Sequence, residues 1–213
     1  VPEFQNRYAR EVRVRHLLTH TVGYDGSFVL SSYADKSPDE ILRAVFASEL
    51  PLRPGEKFLY TNAASILLGL VVERVSGRSL DALAREVFFE PLQMRRTGFS
   101  PLLAFSREEI APTEGDGRGG VLHGVVHDES ARALRRKMAP GSAGLFSTLP
   151  DLLTFLEILL GHGELDGHRY LSKDAVRQMY TNQLRDIGES HGLGWEAHQP
   201  RWMGEKCGLT TFG

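Results

Sequence analysis

The chain has 213 residues, with 25 lysines and arginines against 27 aspartates and glutamates, a formal net charge of −2 before its 8 histidines are counted. At roughly 150 residues per domain this is one large domain or slightly more, and 41% apolar with 24% charged residues is enough for a sizeable core, so disorder throughout is excluded. A near-neutral chain whose longest basic run is Arg135-Arg136-Lys137 is not built to neutralise many phosphates, which argues against nucleic acid as a partner.

The longest apolar stretch, Ala63 to Val72, is about half of the roughly 20 residues that cross a bilayer, and Glu73 and Arg74 follow at once; it reads as a buried helix. The single cysteine, Cys207, cannot close an internal disulfide, so periplasmic, secreted and cytoplasmic locations all stay open. Val1-Pro2-Glu3-Phe4 has no initiator Met and no signal-peptide pattern, as expected of a processed start or a piece of a longer chain.

In chain order, Val12 to His20 predicts a short amphipathic helix stopped at Gly23. Ser37-Pro38-Asp39-Glu40 is a capping box for a second helix that buries Ile41, Leu42 and Val45 and ends before Pro51; Pro54-Gly55-Glu56 is a turn. Asn62 can cap a third helix, apolar nearly all round, that ends at Ser76-Gly77 and forms the centre of the core. Leu80, Leu83, Val87 and Phe88 recur at helical spacing in a fourth helix before Pro91. Ala111 to Gly120 has loop composition. Thr148 and Asp151 cap a fifth helix running to Gly161; Asp166-Gly167 is a tight turn, and Ser172 opens a sixth helix with Val176 and Met179. Strand signals come last, in residues 193–197, 201–203 and 209–212, which makes the class α+β or a helical domain on part of a sheet.

Two constellations could carry chemistry. His16 and His20 are four apart, His123 and His127 repeat the spacing, and four such imidazoles could hold a zinc ion for hydrolysis. The zinc-protease glutamate is missing from His16-Leu17-Leu18-Thr19-His20, so the signal is weak, and imidazoles bonded to backbone or packed at helix ends are the plainer reading. In Lys57-Phe58-Leu59-Tyr60-Thr61-Asn62, Tyr60 and Asn62 sit two apart before the most buried helix and, in extended backbone, leave on one face. A phenol acts as a general base only beside a cation that lowers its pKa, and an amide side chain can donate to and accept from an acyl group. The plainer reading is that Asn62 is an N-cap, Tyr60 packs on the helix start, and Lys57 is solvated. Trp195 and Trp202 could line a cleft, but packing is the default for aromatics in strands; Cys207 reads as an idle thiol.

These pieces lie within a longer pattern. Arg15-His16-Leu17-Leu18-Thr19-His20-Thr21-Val22-Gly23, Tyr60-Thr61-Asn62 with Leu67-Leu68-Gly69, Phe89-Glu90-Pro91-Leu92-Gln93-Met94 with Thr97-Gly98-Phe99, and Gly144-Leu145-Phe146-Ser147-Thr148 with Asp151-Leu152 follow one another along the chain. In order and spacing they resemble the serine hydrolases related to class C β-lactamases, D-alanyl-D-alanine carboxypeptidases (penicillin-binding proteins) and their family VIII-type esterase relatives. Val22 stands where Ser is usual and Gln93 where Gly is usual. His123 to Ala131 is similar to a V-H-D-E-N-A segment of one branch, with Ser130 for Asn, which favours His127 and a carboxylate holding a loop near the cleft over a zinc site.

The resemblance implies a β-lactamase/transpeptidase-like α+β fold and an acyl-enzyme mechanism that needs no cofactor. A serine of S-x-x-K attacks a small ester, peptide-like amide or β-lactam; Tyr60 shares the proton transfers, Asn62 orients substrate, and Gly144, Leu145, Phe146 and His127 are candidates for substrate binding. No serine here has Lys three residues later, and the chain lacks the H-T-G or K-T-G strand. The expectation is one incomplete domain over 1–213, with a mainly helical lobe at 24–191 and strands of a truncated sheet at 192–213. Such a central fragment would be inactive and would expose apolar faces meant for missing segments. A non-catalytic penicillin- or peptidoglycan-binding or scaffold protein would share the same core. Oligomeric state is not legible.

Overall fold

The computed structural model describes residues 1–33 and 35–213, Trp202 by its backbone alone. The helices are α1 (Val14–Leu18), α2 (Pro38–Ala47), α3 (Asn62–Ser76), α4 (Leu80–Ala84), α5 (Glu129–Leu134), α6 (Leu149–Leu160), α7 (Lys173–Tyr180) and α8 (Pro200–Met203). Strands β1 (Pro112–Gly115) and β2 (Val121–His123) form one antiparallel pair, and β3 (Glu164–Leu165) and β4 (His168–Arg169) a second. The class is therefore α+β, helix-dominated with small antiparallel sheets. Contacts sort the chain into two compact units, one of Val1–Phe4, Val29–Ala47 and Ser65–Phe155, the other of Gln5–Phe28, Ser48–Ala64 and Leu156–Gly213.

In the first unit the Ser37 capping box forms as the sequence demands: Ser37 N donates to Glu40 Oε2 at 2.9 Å, and Glu40 N to Ser37 Oγ at 3.4 Å. The stripe of α2 (Ile41, Leu42, Val45) is buried, and α2 packs against α5, which contributes Ala131, Ala133 and Leu134. Gly141 lies against α3 so closely that a Cβ there would stand 2.3 Å from the Ser65 carbonyl oxygen, which excludes every side chain. The first residues are tied down by a two-point ion pair, Arg74 to Glu3 at 2.5 and 2.6 Å, which holds the Glu3 carboxyl at about 2. After α4 the helix widens into a π-helical turn over Arg85–Phe89, where one continuous fourth helix is expected from the spacing.

In the second unit Gly23 has φ +115° and its missing Cβ would sit 2.3 Å from the Leu52 carbonyl oxygen, whose own amide donates to Gly23 O at 3.1 Å. The flanking Val22 and Tyr24 are buried, and the Tyr24 hydroxyl pairs with Ser48 Oγ at 2.9 Å while burial pushes its pKa to about 12. Ser172 caps α7 by accepting from Ala175 N at 3.1 Å, and Val176 is fully buried below it.

Two element readings are corrected. Residues 111–120 are not all loop: β1 and β2 flank a turn closed by Asp116, whose Oδ1 accepts from Arg118 N and Gly120 N, both at 2.8 Å. Every residue of β1 is exposed, so no apolar alternation marks it in sequence. At the C-terminus the described residues form no ladder, only the single bridges His191↔Glu196 and Ala197↔Phe212. Residues 200–203 are α8 instead, started by Pro200, whose absent N–H is one that a first helical turn leaves unpaired anyway. Trp195 stands edge-on to Phe212 at 5.5 Å; the side chain of Trp202, the other cleft candidate, lies outside the described residues.

One face of α6 is left uncovered. Leu149, Leu152, Leu153, Leu156 and Leu160 follow the helical repeat and are all exposed, Leu149 and Leu160 by 70% and 73%.

Candidate active site

Tyr60 is positioned by its neighbours. Leu59 N donates to His20 O at 2.9 Å and Thr61 N donates to His20 Nδ1 at 3.3 Å, so both flanking residues are pinned on the His20 side. Tyr60, between them, is 64% exposed. The packed-tyrosine reading is thus corrected, although the ring still rests on the His20 imidazole, centroids 4.5 Å apart and tilted by 32°. His20 has φ +52°, in the left-handed region, and is buried beside His191 and Phe58. Burial, reinforced by the charge of His191, pushes the His20 pKa down to about 4, so the ring under Tyr60 is neutral at pH 7. His191, itself buried, donates from Nδ1 to Gly192 O at 2.8 Å. Lys57 is exposed, and its charge acts on Asp25.

Asn62 is the first residue of α3, not its cap. The Thr61 hydroxyl, on the residue just before the helix, takes that role, accepting from Ala63 N at 3.3 Å. Tyr60 and Asn62 therefore bracket a capping threonine at the start of the helix.

Gly144, Leu145, Phe146 and His127 all line one cavity of about 360 Å³ in the first unit, with Arg96 and Phe105. Its wall joins two segments far apart in sequence. Gly98 and Phe146 exchange backbone hydrogen bonds at 2.9 and 3.0 Å; Ser147 Oγ donates to Thr97 Oγ1 at 2.7 Å, and Thr97 Oγ1 donates to Asp151 Oδ2 at 2.8 Å. Arg96 N donates to the same carboxylate oxygen at 2.9 Å, and Asp151 N to the Thr148 hydroxyl at 3.5 Å. Thr148 is thus the helix cap, while the Asp151 carboxylate, expected as the other half of a capping box, anchors the wall by holding the 96–97 segment, a role that the capping pattern alone did not reveal. The Arg96 guanidinium meets Glu109 at 3.2 Å and lies over the Phe105 ring at 4.3 Å, a cation already neutralised.

His127 is exposed at this cavity, whereas Asp128 turns to its own helix, accepting from Ala131 N at 2.7 Å and from Ser130 Oγ at 2.7 Å as the N-cap of α5. Of the other three candidate ligands, His20 is held under Tyr60 as described, and His123 Nε2 is buried without a hydrogen-bond partner among the described residues. His16 Nδ1 accepts from Arg13 N at 3.0 Å at the start of α1, and burial with Arg15 and Arg13 lowers its pKa. Among the described residues no group of three or more His, Cys, Asp and Glu side chains is placed to hold a metal ion, so the four-histidine zinc arrangement is not assembled.

The family model described as beta-lactamase matches residues 1–213. An Escherichia coli O157:H7 protein named "Putative D-alanyl-D-alanine carboxypeptidase" is 31% identical over 95% of this chain and 49% of its own; its counterpart in strain K12 is 30% identical over the same shares. A penicillin binding protein from Bacillus halodurans superposes with TM-score 0.64 at 21% identity, over 86% of this chain and 55% of its own. A D-stereospecific amidohydrolase from Streptomyces sp. superposes with TM-score 0.62 at 23% identity, over 91% and 59%. The chain spans about half the length of the curated relatives it matches.

Proposed function

The chain belongs to the beta-lactamase family, a generally hydrolytic one, and from that premise we propose that it is the central part of a serine hydrolase acting through an acyl-enzyme on a small ester, peptide-like amide or β-lactam. The observation that carries this reading is the display of the Tyr60 phenol to solvent by the two hydrogen bonds that pin its neighbours to His20. An exposed phenol over a neutral ring is a weak base by itself. It needs a cation beside it, and in S-x-x-K chemistry the lysine of the nucleophile's own motif supplies one. No Ser of these 213 residues has Lys at the third following position, so nucleophile and cation come from a segment outside them.

In the proposed reaction the serine oxygen attacks the carbonyl, its proton passes by way of Tyr60 to the leaving group, Asn62 orients the acyl portion, and the wall formed by Gly144, Leu145 and Phe146 receives substrate. The 213-residue chain alone then has no turnover, and an acyl-enzyme burst from a nitrophenyl ester or chromogenic cephalosporin, stoichiometric with this chain, overturns the assignment of the nucleophile. In the longer protein carrying S-x-x-K, Tyr60→Phe is expected to lower kcat/KM for a nitrophenyl ester by about 10²-fold or more without loss of fold. Unchanged kinetics remove Tyr60 from the mechanism, and a longer protein with no hydrolysis at all supports the non-catalytic binding reading.

A further inference from the structure

A second cavity in the first unit, of about 350 Å³, is lined by Phe99, Leu102, Val126, Phe146, Arg132 and Arg135 among others, with no acidic residue in its wall. Arg132 and Arg135 are three apart at the end of α5 and therefore share a face. Both guanidiniums are placed at the cavity by their contacts. Arg132 Nη1 donates to Val126 O at 3.5 Å, and Arg135 Nη2 donates to Ser100 Oγ while its guanidinium carbon stands 5.9 Å from the centre of the Phe99 ring.

Among the described residues neither arginine is in an ion pair, whereas Arg74, Arg96 and Arg177, for instance, each meet a carboxylate. The charge of Asp81 reaches Arg135 without pairing with it, and both arginines are only half exposed. Two cations in an apolar concavity concentrate positive potential, because the low-dielectric wall screens them less than water would. Among the described residues each guanidinium makes one hydrogen bond to the protein, out of five N–H donors.

We propose that this cavity is a binding site for a small organic anion, an apolar body bearing a carboxylate, with the carboxylate on Arg132 and Arg135 and the body against Phe99, Leu102 and Phe146. The planar fork of guanidinium matches a carboxylate in two-point fashion, and the volume suits a compact ring or branched chain. The cavity shares Pro101, Val126 and Phe146 with the one lined by Gly144 and His127, so an occupant would press on the same wall. The site stands without the serine hydrolase reading, since it is read by binding and not by turnover.

The test uses the full 213-residue chain, titrated with phenylacetate, phenylacetamide and acetate and followed by the NMR resonances of Phe99 and Phe146 or by calorimetry. Phenylacetate is expected to bind at least about tenfold more tightly than either the neutral amide or the tail-less acetate at low salt, with the preference over the amide shrinking as salt is added. Arg132→Gln should remove the preference for acid over amide. Leu102→Asp, at a partly exposed position that tolerates a polar side chain, should remove phenylacetate binding by placing a carboxylate of the protein's own beside the two arginines. Equal affinity for acid and amide, no saturable phenylacetate binding, or affinity unchanged by both substitutions would overturn the proposal.

Discussion

His20 combines three constraints in one side chain. Its backbone is left-handed, its Nδ1 accepts from Thr61 N, and its ring is buried under Tyr60 beside His191. Its pKa in the fold is about 4 against an ordinary 6.5, so the folded chain resists a proton that the unfolded chain accepts. The sign follows: the contribution is fully present above pH 6.5, is lost as pH falls through the folded value near 4, and amounts to about 3 kcal/mol at most. Chemical denaturation at a series of pH values should show that decline. His20→Asn should flatten it, because Asn tolerates the left-handed backbone and its Oδ1 occupies the place of Nδ1. The sequence names His20 as a possible zinc ligand, since spacing reports which residues share a helix face but not that the helix ends at Leu18 and leaves His20 beyond it. Around Tyr60 and Asn62 the sequence did not show which residue caps the helix: Thr61 and Asn62 are both good caps, and it is Thr61 that accepts from Ala63 N.

At the level of elements, long periodic segments announced themselves and short ones did not. The stripe of α2, the apolar run of α3 and the caps at Ser37, Thr148 and Ser172 were readable because each is a local preference that the fold reinforces, whereas most of the α6 stripe is left facing water. The β1–β2 pair was hidden because its register rests on an Asp116 turn and on Thr113, whose hydroxyl donates to Leu122 O at 3.2 Å, not on a buried face. The resemblance supplied Thr97-Gly98-Phe99 and Gly144 to Asp151 as separate pieces, and the fold gives the reason they occur together: they are two sides of one wall. Asp151→Ala should therefore cost of order 1–3 kcal/mol, with Asp151→Asn recovering part of it by still accepting from Thr97. Thr61→Ala should cost about 1 kcal/mol through the cap of α3. Gly141→Ala, driven against the Ser65 carbonyl, should cost about 1–3 kcal/mol, each read as a shift of the denaturant midpoint at constant slope.

For the molecule as a whole, the leucines of α6 set its behaviour in solution. A water-facing row of five such side chains behaves as a hydrophobic seam that water closes when a second surface is offered. The 213-residue chain on its own should bind a dye such as ANS in its native state and sediment as a concentration-dependent mixture, with scattering that grows on warming and in sulfate. Replacing Leu153 and Leu160 together by lysine should abolish dye binding and give one species over the same concentration range, while leaving Ile158 and Leu159 to hold the helix. If the doubly substituted chain aggregates as readily as its parent, the seam is not the cause. If it does not, purification, storage and every assay of this chain are governed by one turn-by-turn row of aliphatic carbon before any chemistry begins.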